Sequence, residues 1–489
     1  FGGKERTYQS WYGTPESRFN DDEEGMKTHA MNEGYSERRT NNLLNSGRSY
    51  NYYLYENQVD NYNQDHYQLH FSHEFSKKLT GNLSFHYTKG EGYYEEYKEN
   101  EDLSDYGYAW DTLFVGKPNA QDTITTTDLI RRRWLDNDFY VLNSSINYIK
   151  GNIDLTLSSS YSSYIGEHYG EVIWARSLSN IGEIRDRYYE GLGKKKDLSF
   201  FAKLLYSFDE KTELYTDIQF RNVKYSTSGI TSDLINMVID KSYNFFNPKI
   251  GLSHKLNSNS LIYASYARAN REPNRTDFES NSDIKPERLN DIEIGWRFRD
   301  ENILLNLNSY FMLYDEQLVL SGEIDDVGNP IRTNSGSSFR IGLEIENSIK
   351  LSELFSVQTN ITLSSNKNKN IFSMVDGALY NYGETNISFS PSFIGSNSLN
   401  YKYSENLIFT FLSKYVGKQY MGNTDQPNSI LDSYFVNDLS ISYLLEPNKI
   451  FESISINLLI NNFLNKEYIS NGYYYTYDDT WSIPGQTTT

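Results

Sequence analysis

Eight short polar turns recur along the chain, and each joins two segments in which apolar and polar residues alternate. The turns lie at 75–79, 149–153, 208–212, 256–260, 298–302, 350–353, 403–406 and 445–449. Between one short turn and the next lie two alternating segments and a longer loop rich in Tyr, Asn and Asp. Short turns on one side of a sheet and long loops on the other are typical of a transmembrane β-barrel.

The alternating segments have a period of two, which places apolar residues on one face of a strand and polar residues on the other. Ile153, Leu155 and Leu157 show this pattern in one segment, and Ile454 and Ile456 show it in another. Segments of about 10 to 15 residues exceed ordinary strands and are sufficient to cross a bilayer in a tilted barrel. The barrel must close, because lipid cannot pair the backbone groups of an open edge.

Composition narrows the possible classes of protein. The 489 residues include no Cys, and 65 acidic against 46 basic residues give a net charge of −19. The acidic excess makes nucleic acid an unsuitable partner, since phosphate binding requires clustered Lys and Arg. No run of about 18 apolar residues exists, which excludes a transmembrane helix. The 43 Tyr residues suit strand surfaces and the aromatic girdles of a barrel.

The sequence predicts a single partial barrel domain over residues 1–489, with no interdomain linker. Its long outer loops are predicted at about 1–63, 91–133, 165–196, 226–243, 271–287, 325–337, 367–384, 419–433 and 465–489.

No catalytic or cofactor-binding motif is recognisable. The chain has no Gly-x-Ser-x-Gly, no His-Glu-x-x-His and no phosphate-binding Gly-rich loop, so we predict neither an enzyme nor a cofactor. His66 and His70 share a strand face and His73 takes the other, which suits either a metal pair or polar wall residues. The acidic run 21–24 is interpreted as a solvated loop, with Ca²⁺ binding as the alternative.

Four segments resemble the barrel of TonB-dependent outer-membrane receptors. They are Phe1–Gly13 (FGGKERTYQSWYG), Tyr266–Phe278 (YARANREPNRTDF), Lys285–Gly295 (KPERLNDIEIG) and Asn461–Tyr468 (NNFLNKEY). The K-P-E and N-N-F-x-N-K-x-Y segments are fairly specific in combination. The resemblance implies an all-β transmembrane antiparallel barrel of 22 strands, of which this chain holds about strands 6–21.

The resemblance also implies a location and partners. The protein is expected in the outer membrane of a Gram-negative cell, in contact with lipid and lipopolysaccharide. The family's plug domain and its TonB box precede the barrel, so the expected contact with TonB lies in an N-terminal segment outside this chain. A surface lipoprotein is a further partner that the resemblance leaves open.

Family members bind bulky nutrients with aromatic and Arg residues of their outer loops. The corresponding candidates here are Tyr93, Tyr94, Tyr97, Trp110, Arg131, Arg132, Arg133, His168, Tyr474 and Tyr475. The aromatic residues suit ligand contact, an extracellular girdle or packing of loop on loop. The three arginines suit either an anionic iron chelate or pairing with wall carboxylates. His168 is the loop histidine that a haem receptor would use.

The resemblance therefore predicts import of a scarce nutrient, with a ferric siderophore as the leading substrate class. Cobalamin, haem, other metal chelates and oligosaccharides stay open as cargo. A passive porin-like barrel is the alternative of a different class, because porins have about 16 to 18 strands.

Overall fold

The computed structural model describes residues 1–10, 12–107, 124–177, 183–324, 330–375, 378–446, 451–477 and 481–488. In chain order the strands are β1 (Gly2–Tyr8), β2 (Val59–Ser76), β3 (Leu79–Asp102), β4 (Thr126–Lys150), β5 (Ile153–Ala175), β6 (Arg187–Ser207), β7 (Thr212–Ile230), β8 (Asn236–Lys255), β9 (Ser260–Arg271), β10 (Glu287–Arg299), β11 (Ile303–Asp315), β12 (Leu318–Ile324), β13 (Pro330–Asn334), β14 (Ser338–Lys350), β15 (Phe355–Val375), β16 (Ala378–Asn386), β17 (Phe393–Ser404), β18 (Leu407–Val416), β19 (Gln419–Tyr420), β20 (Ile430–Leu431), β21 (Tyr434–Leu445), β22 (Ile454–Ile460), β23 (Ile469–Tyr477) and β24 (Trp481–Thr488). The helices are α1 (Glu16–Phe19), α2 (Glu23–Asn32), α3 (Glu37–Asn45) and α4 (Arg275–Ser280).

One large antiparallel sheet forms a barrel wall, as predicted. In the described ranges, sixteen long strands pair as neighbours in the order β2 to β11, β14, β15, β17, β18, β21 and β22. At the loop end, β1 adds to β2 and β16 adds to β15. No pairing joins β22 to β1 or β2 within those ranges, so the sheet is open there. No helix in the described part of the chain is long and apolar enough to cross a membrane.

The strands run further than the sequence predicts. β3 has 24 residues and β4 has 25, so both continue well into the segment 91–133 that the sequence assigns to a loop. Likewise β7 and β8 leave only residues 231–235 between them, although the predicted loop is 226–243. The predicted lengths follow from the bilayer thickness, whereas the hydrogen-bonded ladder continues beyond the membrane. The predicted loop 271–287 has the same bounds in the structure, since β9 ends at Arg271 and β10 begins at Glu287.

The short turns are closed by side chains that bind backbone amides. Asp209 accepts hydrogen bonds from the amides of Lys211 at 2.8 Å and Thr212 at 2.7 Å. Asp300 does the same with Asn302 and Ile303. These amide donors hold the pKa of the Asp209 carboxyl below its ordinary value. Such Asx turns reverse the chain in few residues, which explains why these connections are short.

The outer face of the wall carries continuous apolar rows. In one row Leu142 of β4 pairs in register with Tyr161 of β5, which pairs with Leu198 of β6. Side chains of this face are exposed in the chain, as expected of residues that lipid covers. On the loop side, Tyr87 stacks between Tyr67 and Tyr140, with ring centroids 5.7 and 4.7 Å apart. This tyrosine row has the position of an outer aromatic girdle.

The inner face is polar, and tyrosine rings lie across glycines of the neighbouring strand. Tyr263 pairs in register with Gly295, and Tyr310 pairs with Gly342. A Cβ atom at either glycine would overlap the facing ring. The ring covers backbone that the glycine leaves bare, an arrangement known to support glycines in sheets. Many of the Tyr residues therefore serve the wall itself.

We expect Leu157→Arg to impair folding into lipid, because a charge on the outer face near the membrane midplane costs about 2–4 kcal/mol. Ser158→Arg places the same side chain on the inner face and serves as the matched control. The free energy of refolding of the full-length protein into lipid vesicles measures both, with heat-modifiability on gels as a check. Equal losses in the two variants would show that the assignment of the faces is wrong.

We expect Gly342→Ala to destabilise the barrel by about 1 kcal/mol, because the Tyr310 ring must leave its position. The cost should disappear in the Tyr310→Ala background, which a double-mutant cycle on refolding free energies measures. Gly251→Ala is the control, since a Cβ there meets its nearest neighbour, the Cβ of Ser265, at an ordinary 3.4 Å. A cost that persists without the Tyr310 ring would contradict the proposed role of this pair.

Candidate ligand-binding mouth of the barrel

The strand pleat divides the predicted ligand-binding residues between two faces. In register, Tyr94 pairs with Arg133, and Tyr93 pairs with Trp134. Tyr93, Tyr97 and Arg132 share the outer face with the apolar rows, because they lie an even number of residues from Phe85 or Tyr140. Tyr94, Arg131, Arg133 and His168 lie on the inner face. Only these four of the wall candidates therefore point toward the barrel interior.

The inner candidates belong to a compact group, here called the tyrosine–arginine cluster: Tyr94, Tyr106, Arg131, Arg133, Tyr188 and Tyr189. The Arg131 Nε donates to Glu96 Oε2 at 2.8 Å, and its Nη1 donates to the Tyr106 hydroxyl at 3.2 Å. Arg133 Nη1 donates to the Tyr94 hydroxyl at 2.9 Å. Burial raises the pKa of Tyr106, which lies in a turn between β3 and β4.

Burial decides what this cluster can do. The exposed fraction of the side chain is 12% for Arg131, and that of the residue is 7% for Arg133. The cluster also packs on the apolar residues Leu103, Leu129 and Val172. Arg131 thus pairs with a wall carboxylate, which is one of the two roles that its sequence suggests. The cluster ties the turn at 103–106 to the inner wall and supports the mouth of the barrel.

The outer candidates form a stack of rings and guanidinium groups across four strands. The Arg132 guanidinium lies 4.2 Å above the Tyr93 ring, and Arg187 lies 3.7 Å above Tyr169. Trp134 connects them, with ring centroids 4.6 Å from Tyr93 and 5.8 Å from Tyr169. Arg132 also pairs with Glu95 at 2.8 Å. In this stack the aromatic residues pack against one another and against arginines on the outer face of the wall. Packing is one of the roles that the sequence analysis left open for them.

Residues before β2 fold against the same part of the wall. The buried Arg18 donates to the carbonyl oxygens of Leu43 and Leu44, which ties α1 to α3. Tyr55 donates to Glu95 Oε1 at 2.7 Å, and burial together with this carboxylate raises the pKa of Tyr55 to about 12. The acidic run 21–24 forms the start of α2, where Asp22 caps the amide of Gly25. The helix start explains the acidic residues, since carboxylates stabilise this end of a helix.

The loop between β9 and β10 folds inward over β7 and β8. Its helix α4 begins with a reciprocal capping box between Asn274 and Asp277. Phe278 stacks on the inner-face Tyr225, with ring centroids 5.6 Å apart. Glu272 is buried and accepts from Arg221 at 2.8 Å and from Lys195 at 2.6 Å. These contacts fix the loop to the inner wall.

A second loop is tied to the first. Arg332 of β13 donates hydrogen bonds to both carboxylate oxygens of Asp277. Its Nε lies 3.0 Å from Oδ1, and its Nη2 lies 2.7 Å from Oδ2. The Asp277 side chain is 1% exposed, so this ion pair is held out of water. Bidentate pairs of this kind fix orientation as well as distance. This ion pair therefore fixes the α4 loop to the β12–β13 hairpin.

Polar side chains of two further loops bind the backbone of β12. Asn423 donates to the carbonyl of Leu320 at 2.7 Å, and Ser388 donates to the same oxygen at 2.8 Å. Tyr474 is buried with Met421 and Leu431, so it packs loop on loop. Tyr475 has a side chain outside the described part, and Trp110 lies wholly outside the described residues.

Arg340 is a residue that the sequence analysis did not single out. It lies on the inner face of β14 near the loops, where its Nη1 donates to Asn366 Oδ1 at 3.3 Å and to Ser390 Oγ at 3.0 Å. Both partners are neutral, and no carboxylate lies within 4.0 Å among residues the structure describes. The sequence carries no signal for it, because only the structure shows which side chains surround Arg340.

Three histidines of β2 and β3 line the inner face as polar wall residues, which is one of the two roles that the sequence analysis left open. His66 and His86 contact the same Thr88 hydroxyl, at 3.0 and 2.6 Å, and Gln68 reaches His86 at 2.9 Å. His70 follows along the inner face at 3.4 Å from Gln68. No group of three or more metal-ligating residues occurs in the ranges that the structure covers. Hydrogen bonding along the wall accounts for these side chains. His168 lies apart from them, in register with Gly191.

Comparisons with known proteins agree with this architecture. The family described as TonB dependent receptor-like, beta-barrel matches residues 7–463. No match was found among curated proteins. The ferric-catecholate import receptor Fiu from K12 E. coli, in its closed form, superposes with a TM-score of 0.60 at 16% identity, over 92% of this chain and 66% of that one.

Two further solved structures are similar. The siderophore receptor PiuA from Acinetobacter baumannii gives a TM-score of 0.62 at 15% identity, over 88% of this chain and 64% of PiuA. The pyoverdine receptor FpvA from Pseudomonas aeruginosa PAO1, bound to pyoverdine, gives 0.58 at 15% identity, over 88% and 61%. The chain thus spans less than two thirds of the length of these proteins. Its sixteen-strand wall, inward-folded loops and family match over 7–463 show that it belongs to the TonB-dependent receptor β-barrel family, a family of receptors rather than of enzymes.

Proposed function

We propose that the protein containing this barrel imports an anionic ferric chelate of the siderophore class across the outer membrane, in a reaction that depends on TonB. The observation that carries the choice of cargo is Arg340. It presents an unneutralised guanidinium to the inside of the mouth, next to neutral hydrogen-bonding partners. Charge-assisted hydrogen bonds from such a group suit the carboxylate or catecholate oxygens of an iron chelate.

The contrast with three other arginines near the loops supports this choice. Arg131, Arg221 and Arg332 each bind a carboxylate at 2.8 Å or less. Their positive charge is therefore neutralised by carboxylates of the wall and loops. The chain has an excess of acidic residues, yet Arg340 is left without one in the described structure. A buried or half-buried cation is costly unless an anion neutralises it. A bound anionic ligand would supply that partner.

The named ligands of similar receptors point the same way. Fiu is described as a ferric-catecholate receptor, PiuA as a siderophore receptor and FpvA as a receptor bound to pyoverdine. His168 and Tyr94 line the inner wall and remain proposed ligand contacts at the edge of the site. A neutral oligosaccharide brings no negative charge to the site, so the charge at Arg340 favours an anionic chelate over it. Haem, whose propionates are anionic, cobalamin and other metal chelates stay open as cargo.

We expect iron uptake to depend on the energy-coupling segment. Radioactive iron is supplied as single ferric chelates to a deletion strain that carries either the full-length gene or a version without its TonB-binding segment. Uptake of one chelate by the full-length gene alone supports active import. Equal uptake by both versions would instead identify a passive pore, and no uptake of any chelate would remove iron as the cargo.

We expect Arg340→Gln to weaken binding of that chelate roughly 10- to 100-fold, because a hydrogen bond to a charged group contributes about 1.5–3 kcal/mol. Arg268→Gln is the matched control, since Arg268 also donates to a neutral side chain, Asn290 at 3.0 Å, and has no carboxylate within 4.0 Å among the described residues, but lies on the outer face. Quenching of tryptophan fluorescence on purified receptor measures both affinities. Unchanged binding by Arg340→Gln would remove Arg340 from the site without affecting the evidence for import.

A further inference from the structure

A row of polar side chains crosses the outer face of the wall, where lipid favours apolar residues. The row follows the register pairs through five neighbouring strands, β14, β15, β17, β18 and β21, and consists of Asn347, Thr359, Asn397, Ser413 and Asn437. Apolar side chains of the same face flank it along each strand, as Val357 and Ile361 do for Thr359. The outer face of this part of the wall therefore has one polar position in every strand, all in register.

Hydrogen bonds within the row satisfy only part of it. Thr359 Oγ1 donates to Asn397 Oδ1 at 2.8 Å, and Ser413 Oγ donates to Asn437 Oδ1 at 2.8 Å. Within the described ranges, the half-buried Asn397 has no acceptor for its Nδ2, and Asn347 Oδ1 is buried without a donor. An amide that faces hydrocarbon without a partner is costly. A second molecule with hydrogen-bonding groups would remove this cost.

The depth of Asn397 in the membrane restricts what that molecule can be. Asn397 lies four residues from Phe393 at the loop end of β17 and four from Tyr401 at the turn end. The Phe393 ring meets Tyr415 at 5.4 Å between centroids, and Tyr401 stacks on Phe355 at 4.8 Å. Such aromatic groups mark the two boundaries of the membrane. Asn397 is midway between them, so its partner is a polar side chain of a protein in the same membrane.

We propose that the row is the contact surface of a homodimer, with Asn397 on a two-fold axis that runs along the membrane normal. Asparagine is self-complementary, since its amide both donates and accepts, so Nδ2 of each copy donates to Oδ1 of the other. Most oligomers of identical chains form such two-fold contacts. The contact is on the opposite face of the wall from Arg340, so it is independent of the cargo.

The tilt of the strands explains why Asn397 is the residue on the axis. Strands of such barrels tilt by about 40°, so a row at right angles to them runs obliquely across the membrane. The oblique rows of two facing copies cross at a single point. Only the residue at that point meets its own copy at the same depth, and Asn397 is the middle of the row.

Disulfide formation tests the position of the axis. The chain has no Cys, so Asn397→Cys is introduced into the full-length receptor, with any cysteine outside this chain replaced by serine. We expect mild oxidation of isolated outer membranes to give a covalent dimer, because a cysteine on the axis faces its own copy within reach of a disulfide. Ser159→Cys is the matched control, since Ser159 is also a small polar residue of the outer face, but its hydroxyl already bonds Ser144 at 2.8 Å. That variant should stay monomeric.

Native mass spectrometry of the full-length receptor in mild detergent measures the strength of the contact. Asn397→Leu removes the amide and keeps the size of the side chain. We expect the dissociation constant of the dimer to rise roughly 10-fold, since two symmetric hydrogen bonds in a membrane each contribute about three-fold. Ser159→Leu should dimerise like the wild type. A monomeric wild type, an unchanged dimer in Asn397→Leu, equal cross-linking of the two cysteine variants or a disulfide to a different protein would each overturn the proposal.

Discussion

The hydrogen bonding of the backbone is the constraint on which the rest of the structure depends. Lipid offers no partner to an amide or carbonyl group, so a chain that crosses it with strands must pair every strand with its neighbours. Sequential antiparallel pairing satisfies this with the shortest connections, such as the turn that Asp209 closes. Once the strands are fixed, their pleat sends alternate side chains to lipid and to the interior. One face is then required to be apolar, and the other is free to carry function.

Three consecutive residues show the consequence of this alternation. Arg131 faces the interior and binds Glu96, Arg132 faces outward and binds Glu95, and Arg133 again faces the interior. A run of like charge in the sequence therefore does not form a patch of like charge in space. The arginines hold the upper wall and the turn at 103–106 together. A site for an anion depends instead on a cation, such as Arg340, that the wall leaves without a carboxylate.

Period and turn spacing predict the class of fold, the number of wall strands and the facing of residues such as Leu157 and Ser158. The ends of the strands above the membrane are not predictable in this way, because no bilayer limits them and the ladder continues as long as side chains allow. Contacts between loops depend on tertiary structure, as Asp277 and Arg332 show, 55 residues apart in the chain. The same holds for Arg340, whose significance lies in the absence of a charged partner in the described structure, which a sequence does not display.

The surroundings of a cation decide what it can bind. The chain has 65 acidic residues against 46 basic ones, and Arg131 and Arg221 of the inner face each bind a carboxylate that holds strands and loops together. Arg340 of the same face donates instead to the neutral side chains of Asn366 and Ser390, with no carboxylate within 4.0 Å among the described residues. Under the proposed function, an anionic chelate supplies the negative charge that the wall leaves out at this position.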